Sequence, residues 1–258
     1  MDVKMTSNRL NKRGQIAIFI IMALIIVVSF FIIFLMIKPP KLEIVDHDNP
    51  SAYIESCIKA ATKEAINITS RNGGDISPKG YVSYDGGEIT YLCHNVNYYD
   101  PCINQRPLLV EHLESEITNY ITPKIEDCFD ELEEKFGDRY GIKTSNMDVT
   151  TRLQSKYVTV FVNKKFEMTR EGESRNINQF KMVLVHPIYD FAKIAMEIVD
   201  QEISFCNFDE VGYMILSPEY DITKFITGDE DIVYKIKDYA TDEEFRFAIR
   251  SCKLPHGY

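Results

Sequence analysis

Hydrophobic positions are most concentrated in one unbroken stretch, Ile16 to Ile37, where no residue is charged and Ser29 is the only clearly polar side chain. At about 1.5 Å rise per residue this run makes roughly 33 Å of helix, against a hydrocarbon core of about 30 Å. It predicts a transmembrane helix over residues 15–38, with the lipid bilayer as partner through Ile16–Ile37. Lys38-Pro39-Pro40 ends it, because proline lacks the amide donor and restricts its predecessor. Residues 39–50 then read as an extended stalk.

Beyond the stalk the pattern turns amphipathic. Ile54, Cys57, Ile58, Ala61, Ala65 and Ile68 recur at helical spacing, with Ser51 as expected N-cap and Gly73-Gly74 as the stop. Tyr81–Tyr84, Asp85-Gly86-Gly87 and Glu88–Leu92 read as a β-hairpin. Helical spacing returns from Pro107: Leu109, Leu113, Ile117 and Ile121, then Ile125, Cys128, Phe129, Leu132 and Phe136. Pro123 is expected to kink or split this region. Strands follow at Tyr157–Met168 and Phe180–His186 around a polar turn, Arg170–Arg175. A helix begins at Pro187, and a further strand is expected at Val211–Leu216. Ile232, Tyr234 and Ile236 alternate with lysines, and Phe245, Phe247 and Ile249 with arginines, as in antiparallel strands with one wet face.

The expected fold class is therefore α+β: a single N-terminal transmembrane helix, then a disulfide-stapled extracytoplasmic domain. That domain has helices in its first half and an antiparallel sheet plus one helix in its second. The expected parts are 1–14 (leader or tail), 15–38, 39–50, 51–140 (helical with a hairpin) and 141–258 (antiparallel α+β).

Charge sets the direction. Lys4, Arg9, Lys12 and Arg13 precede the apolar run against Asp2, and short basic flanks stay in the cytoplasm. The N-terminus is expected inside and the rest outside. The chain carries 29 Lys and Arg against 39 Asp and Glu, a net charge of −10. An acidic exterior speaks against nucleic acid or anionic lipid as a partner of the domain.

The six cysteines all lie beyond the apolar run, at 57, 93, 102, 128, 206 and 252. An even number on the exterior side predicts three disulfides. Six cysteines allow fifteen pairings. Local logic favours Cys57–Cys128, which joins two apolar helix stripes, and Cys93–Cys102, which closes a short loop. Cys206–Cys252 remains.

Candidate chemistry is sparse. Cys93-His94 with Cys102 lacks the spacing of a zinc site. Asp229-Glu230-Asp231 lacks the calcium-loop pattern. His47, His94, His112, His186 and His256 are scattered and read as surface or loop residues. No nucleophile-elbow, phosphate-loop or dinucleotide motif is present. No cofactor, metal or catalytic residue is expected. Asn67-Ile68-Thr69 is a glycosylation sequon, so Asn67 is a candidate glycan acceptor.

Lys12-Arg13-Gly14-Gln15, running straight into the apolar helix, resembles the class III signal peptide of archaeal type IV pilins. The resemblance implies cleavage between Gly14 and Gln15. Ala17 and Phe19 stand where such pilins commonly carry Ser and Glu, which points to an anchored or minor subunit. The layout beyond it is similar to uncharacterised one-anchor secreted archaeal proteins. The expected function is a non-enzymatic cell-surface protein that binds protein partners or assembles, in the manner of a pilin-like subunit. The alternative is an anchored hydrolase acting on envelope glycan or peptide.

Overall fold

A computed structural model describes residues 22–28, 49–97, 99–229 and 231–252. The chain divides into two units, residues 1–45 and 46–258.

In the first unit, residues 22–28 are helical and exposed. The expectation of a transmembrane helix over 15–38 is corrected here. Among the described residues no helix is long and apolar enough to cross a membrane. Residues 22–28 amount to about 10 Å of helix, a third of a hydrocarbon core. The rest of Ile16–Ile37, and Gly14 and Gln15, lie outside the described residues.

The second unit is α+β. Helix α1 spans Pro50–Arg71. Asn49, not Ser51, caps it: the Asn49 side chain accepts a hydrogen bond from the Ser51 amide at 3.2 Å, and Pro50 occupies the first turn, where its missing donor costs nothing. The stop is made by Gly73 and Gly74, with φ of +73° and +101°. A Cβ on Gly73 would stand 2.9 Å from the Thr90 carbonyl oxygen, so glycine is required there for space as well as backbone angle.

The hairpin β1 (Tyr81–Tyr84) and β2 (Gly87–His94) follows, then the two-residue β3 (Ile103–Asn104) and helix α2 (Leu109–Gly137). Pro123 lies inside α2, and the helix runs through it. Helix α2 lies antiparallel to α1: Tyr53 bonds Glu131, Cys57 is bridged to Cys128, and Lys124 pairs with Glu64.

A four-stranded antiparallel sheet comes next: β4 (Gly141–Thr144), β5 (Asp148–Gln154), β6 (Tyr157–Arg170) and β7 (Glu173–Val185). Strand β6 is central, flanked by β4 and β5 on one edge and β7 on the other.

Helices α3 (Ile188–Phe205) and α4 (Glu210–Leu216) lead into β8 (Tyr220–Ile226), β9 (Ile232–Asp238) and β10 (Glu244–Arg250). Val211–Leu216, expected as a strand, is therefore helix. The Asp209 side chain accepts from the Gly212 amide at 3.0 Å and caps its first turn.

The second sheet runs β1-β2-β10-β9-β8, with β3 also on β2. It is mixed, which corrects the antiparallel expectation: β10 pairs with β2 in parallel, Ala248 opposite Tyr91 and Arg250 opposite His94. Helices α1 and α3 each touch strands of both sheets. One core results, and it draws on residues 51–140 and 141–258 alike, from Ile58 and Ile121 to Val160, Phe191 and Phe247.

Candidate recognition surface

Strand β2 ends at His94, and the next turns are closed by Cys93–Cys102, whose Cα atoms are 5.4 Å apart. Asn95 of this loop turns inward and is buried. Asn95 Nδ2 donates to the carbonyls of Asp100 at 3.1 Å and Ser251 at 2.9 Å. Asn97 Nδ2 donates to Asp100 Oδ2 at 2.9 Å. The apolar side chains turn outward: Val96 is 86% and Tyr99 74% exposed. Ile103 on β3 and Leu108 before α2 continue the exposed strip. Beside Leu108, a groove of about 280 Å³ opens between the start of α2 and the Tyr189, Lys193 and Met196 side of α3.

A second strip adjoins the first. Cys206 ends α3 in the left-handed conformation, φ +52°, and is bridged to Cys252. Ser251 accepts from Asn95 through its carbonyl and donates its hydroxyl to the Glu202 carbonyl at 3.2 Å, so it ties the loop to the end of α3. Next to this tie Phe205, Val211, Ile215 and Leu216 are exposed, and α4 contributes no buried residue. Exposed acids, Asp100, Glu111, Asp200 and Asp209, lie around the two strips, with Lys193 among them.

The three disulfides are Cys57–Cys128, Cys93–Cys102 and Cys206–Cys252, the pairs that stripe and loop logic give. Asn67 is exposed on α1, whereas Thr69 is buried and its hydroxyl donates to the Ala65 carbonyl at 3.0 Å. The glycan acceptor is thus accessible, but the sequon hydroxyl is committed to the helix.

His94 and Asp231, weighed separately from the sequence, come together around Tyr91. The Tyr91 hydroxyl hydrogen-bonds the Asp231 carboxylate, and burial with that bond pushes the phenol up. Burial and the Arg250 charge hold the His94 ring below its ordinary value, against Asp231. Glu230 lies outside the described residues. Among the described residues no group of three or more His, Cys, Asp and Glu side chains is placed to hold a metal.

His112 and His186 are less peripheral than expected, and His47 and His256 lie outside the described residues. His112 Nε2 lies 2.5 Å from Asp75 Oδ1, and Asp75 Oδ2 also takes Thr90 at 2.9 Å and Arg106 at 3.1 Å. Burial pushes the Asp75 carboxyl up, but His112, Thr90 and Arg106 outweigh it and hold it low. This cluster fastens the segment after α1 to β2 and α2. His186 is buried at the start of α3.

In comparisons with known proteins, no family model matches the chain, and nothing among the curated proteins or the solved structures matches it.

Proposed function

We propose that this domain works by binding a protein partner outside the cytoplasm, as a component of a cell-surface assembly, and that the stapled apolar end is its binding face. One observation carries the reading. Val96 and Tyr99 stand exposed on a loop that a disulfide and three side-chain hydrogen bonds fasten. Exposed apolar patches on soluble surfaces mark interaction sites. A loop fixed in advance loses little entropy on binding, and Tyr is among the commonest anchors at such contacts. Three disulfides support an oxidising, extracytoplasmic setting. The likeness of Lys12–Gln15 to a pilin signal supports the cell surface as that setting.

The test is a photo-crosslinking residue placed at Tyr99, in the full chain, in its native cells. A protein adduct is expected from position 99 and not from Asp127, which is exposed on the outer face of α2. Equal labelling at both positions, or none at 99, would sink the reading.

A further inference from the structure

Of the ten prolines in the chain only Pro101 follows an aspartate. Asp–Pro is the peptide linkage most easily hydrolysed. The proline nitrogen is a tertiary amide with no N–H, so it takes a proton and leaves more readily than other peptide nitrogens. The aspartate side chain can close a five-membered ring on its own carbonyl carbon. The Asp100–Pro101 bond lies inside the loop that Cys93–Cys102 closes, and both residues are exposed.

The fold holds Asp100 at three points. Asn95 Nδ2 donates to the Asp100 carbonyl oxygen at 3.1 Å. Asn97 Nδ2 donates to Asp100 Oδ2 at 2.9 Å, and the Asp100 amide donates to the Asn97 carbonyl at 3.2 Å. Asn95 is only 2% exposed, and its second bond, to the Ser251 carbonyl at 2.9 Å, fixes its amide. The carbonyl next to Pro101 thus faces a buried donor placed in advance. A donor so placed stabilises the oxyanion that forms when a carbonyl is attacked. With Oδ2 held by Asn97, Oδ1 is the atom that attacks.

We propose that the domain cleaves its own Asp100–Pro101 bond. The Asp100 carboxyl reacts in its acid form. Oδ1 adds to the Asp100 carbonyl carbon, and Asn95 Nδ2 holds the oxyanion. The oxyanion collapses, the C–N bond breaks, and the proline nitrogen leaves with the carboxyl proton as a secondary amine. Asp100 is left as a cyclic anhydride. One water opens it to two carboxyl groups, so the net reaction is hydrolysis and nothing is oxidised or reduced. The two pieces, residues 1–100 and 101–258, stay joined by Cys57–Cys128 and Cys93–Cys102. The cut therefore opens the loop, once and irreversibly, without parting the domain. No partner takes part, so the proposal stands apart from the recognition reading.

The experiment incubates the full chain in mildly acidic buffer, folded and in urea, then reduces it and measures mass. Two fragments are expected, one ending at Asp100 and one beginning at Pro101. The folded chain should cut about 10-fold faster than the unfolded one or more, since a single oxyanion donor is worth up to roughly 10²–10³ in rate. In heavy-oxygen water the first fragment should gain one heavy oxygen, shared between the α- and side-chain carboxyls of Asp100, because water can open either side of the anhydride. Asp100→Glu and Pro101→Ala, both at exposed positions, should keep the fold and each slow the cut about 10-fold or more. Asn95→Ala, with disulfides verified, should bring the folded rate down to that in urea.

A folded chain that stays whole after reduction overturns the proposal, as does a folded rate no higher than the rate in urea. Heavy oxygen confined to the α-carboxyl, the mark of a protease, overturns it too, and so does a Pro101→Ala chain that cuts like the parent.

Discussion

Tyr234, on β9, donates its hydroxyl hydrogen bond to the carboxylate of Glu202, on α3, and both residues have no exposed surface. Burial and the Glu202 charge push the Tyr234 phenol far above its ordinary value, so it is a donor at every physiological pH. Lys224 Nζ reaches the same Glu202 oxygen at 3.5 Å and Asn207 Oδ1 at 3.0 Å. The group sits beside Cys206 and Ser251, so it holds the base of the candidate recognition surface. Removing one partner of a buried charge leaves the other short of a donor, which costs about 1–3 kcal/mol. Tyr234→Phe should lose that much stability in urea unfolding. A loss under about 0.5 kcal/mol, the range of ordinary surface changes, would show that the bond contributes nothing net.

The disulfides should differ in what they stabilise. Cys57–Cys128 spans 71 residues of sequence, Cys206–Cys252 spans 46, and Cys93–Cys102 spans nine. Loop-closure entropy gives about 4.4, 4.0 and 2.7 kcal/mol respectively. Replacing both members of a pair by Ala should lower the unfolding midpoint most for 57/128 and least for 93/102. The 93/102 change should instead raise amide exchange across residues 94–101, because it frees the apolar loop. Equal stability losses for all three pairs would contradict this order.

Much of the second unit was legible because its elements are long and periodic. Ile54 to Ile68 and Leu113 to Leu132 repeat at helical spacing, and Val158, Val160 and Val162 alternate along β6. Cys57 and Cys128 could be paired because each lies on an apolar stripe. Helix α4 was not legible: its seven residues make two turns, too few for a period, and its apolar run reads equally as strand. The parallel pairing of Tyr91 with Ala248 joins strands far apart in sequence, and no local signal encodes it. Neither was the exposure of the loop after β2, since Val96 and Tyr99 give no sign in sequence that they face outward. What turns them out is Asn95, whose side chain spends its donors on Asp100 and Ser251.

The resemblance at Lys12–Gln15 yields a prediction that the folded domain does not touch. A peptidase that cuts after Gly14 accepts a residue without a side chain there. Gly14→Leu should therefore leave the precursor uncut. The N-terminal residue of the mature protein, isolated from its native cells, should be Gln15 for the parent and an upstream residue for the variant. A parent chain that keeps its first 14 residues would remove the pilin-type route and leave the proposal of a recognition surface unaffected.

The start of α3 should be sensitive to pH. His186 Nδ1 accepts a hydrogen bond from the Ile188 amide at 3.1 Å, so it satisfies a free N–H at the helix start. Its Nε2 lies 3.4 Å from Glu243 Oε2. An accepting Nδ1 carries no proton, so the ring is neutral, with its proton on Nε2. Burial pulls its pKa down, and Glu243 and Asp238 pull it back without prevailing. The folded value thus lies below the unfolded one of about 6.5. Stability from this group is complete above about pH 6.5 and is lost as pH falls through the folded value, because the unfolded chain takes the proton first. Protonation also turns Nδ1 into a donor facing the Ile188 donor, which breaks the bond. Urea midpoints should fall as pH drops from about 7.5 to 5.5. His186→Asn, which keeps an acceptor and cannot titrate, should flatten part of that fall; His94, also held low by burial, contributes in the same direction. A parent curve as flat as the variant's across this window would show that His186 binds protons equally in both states.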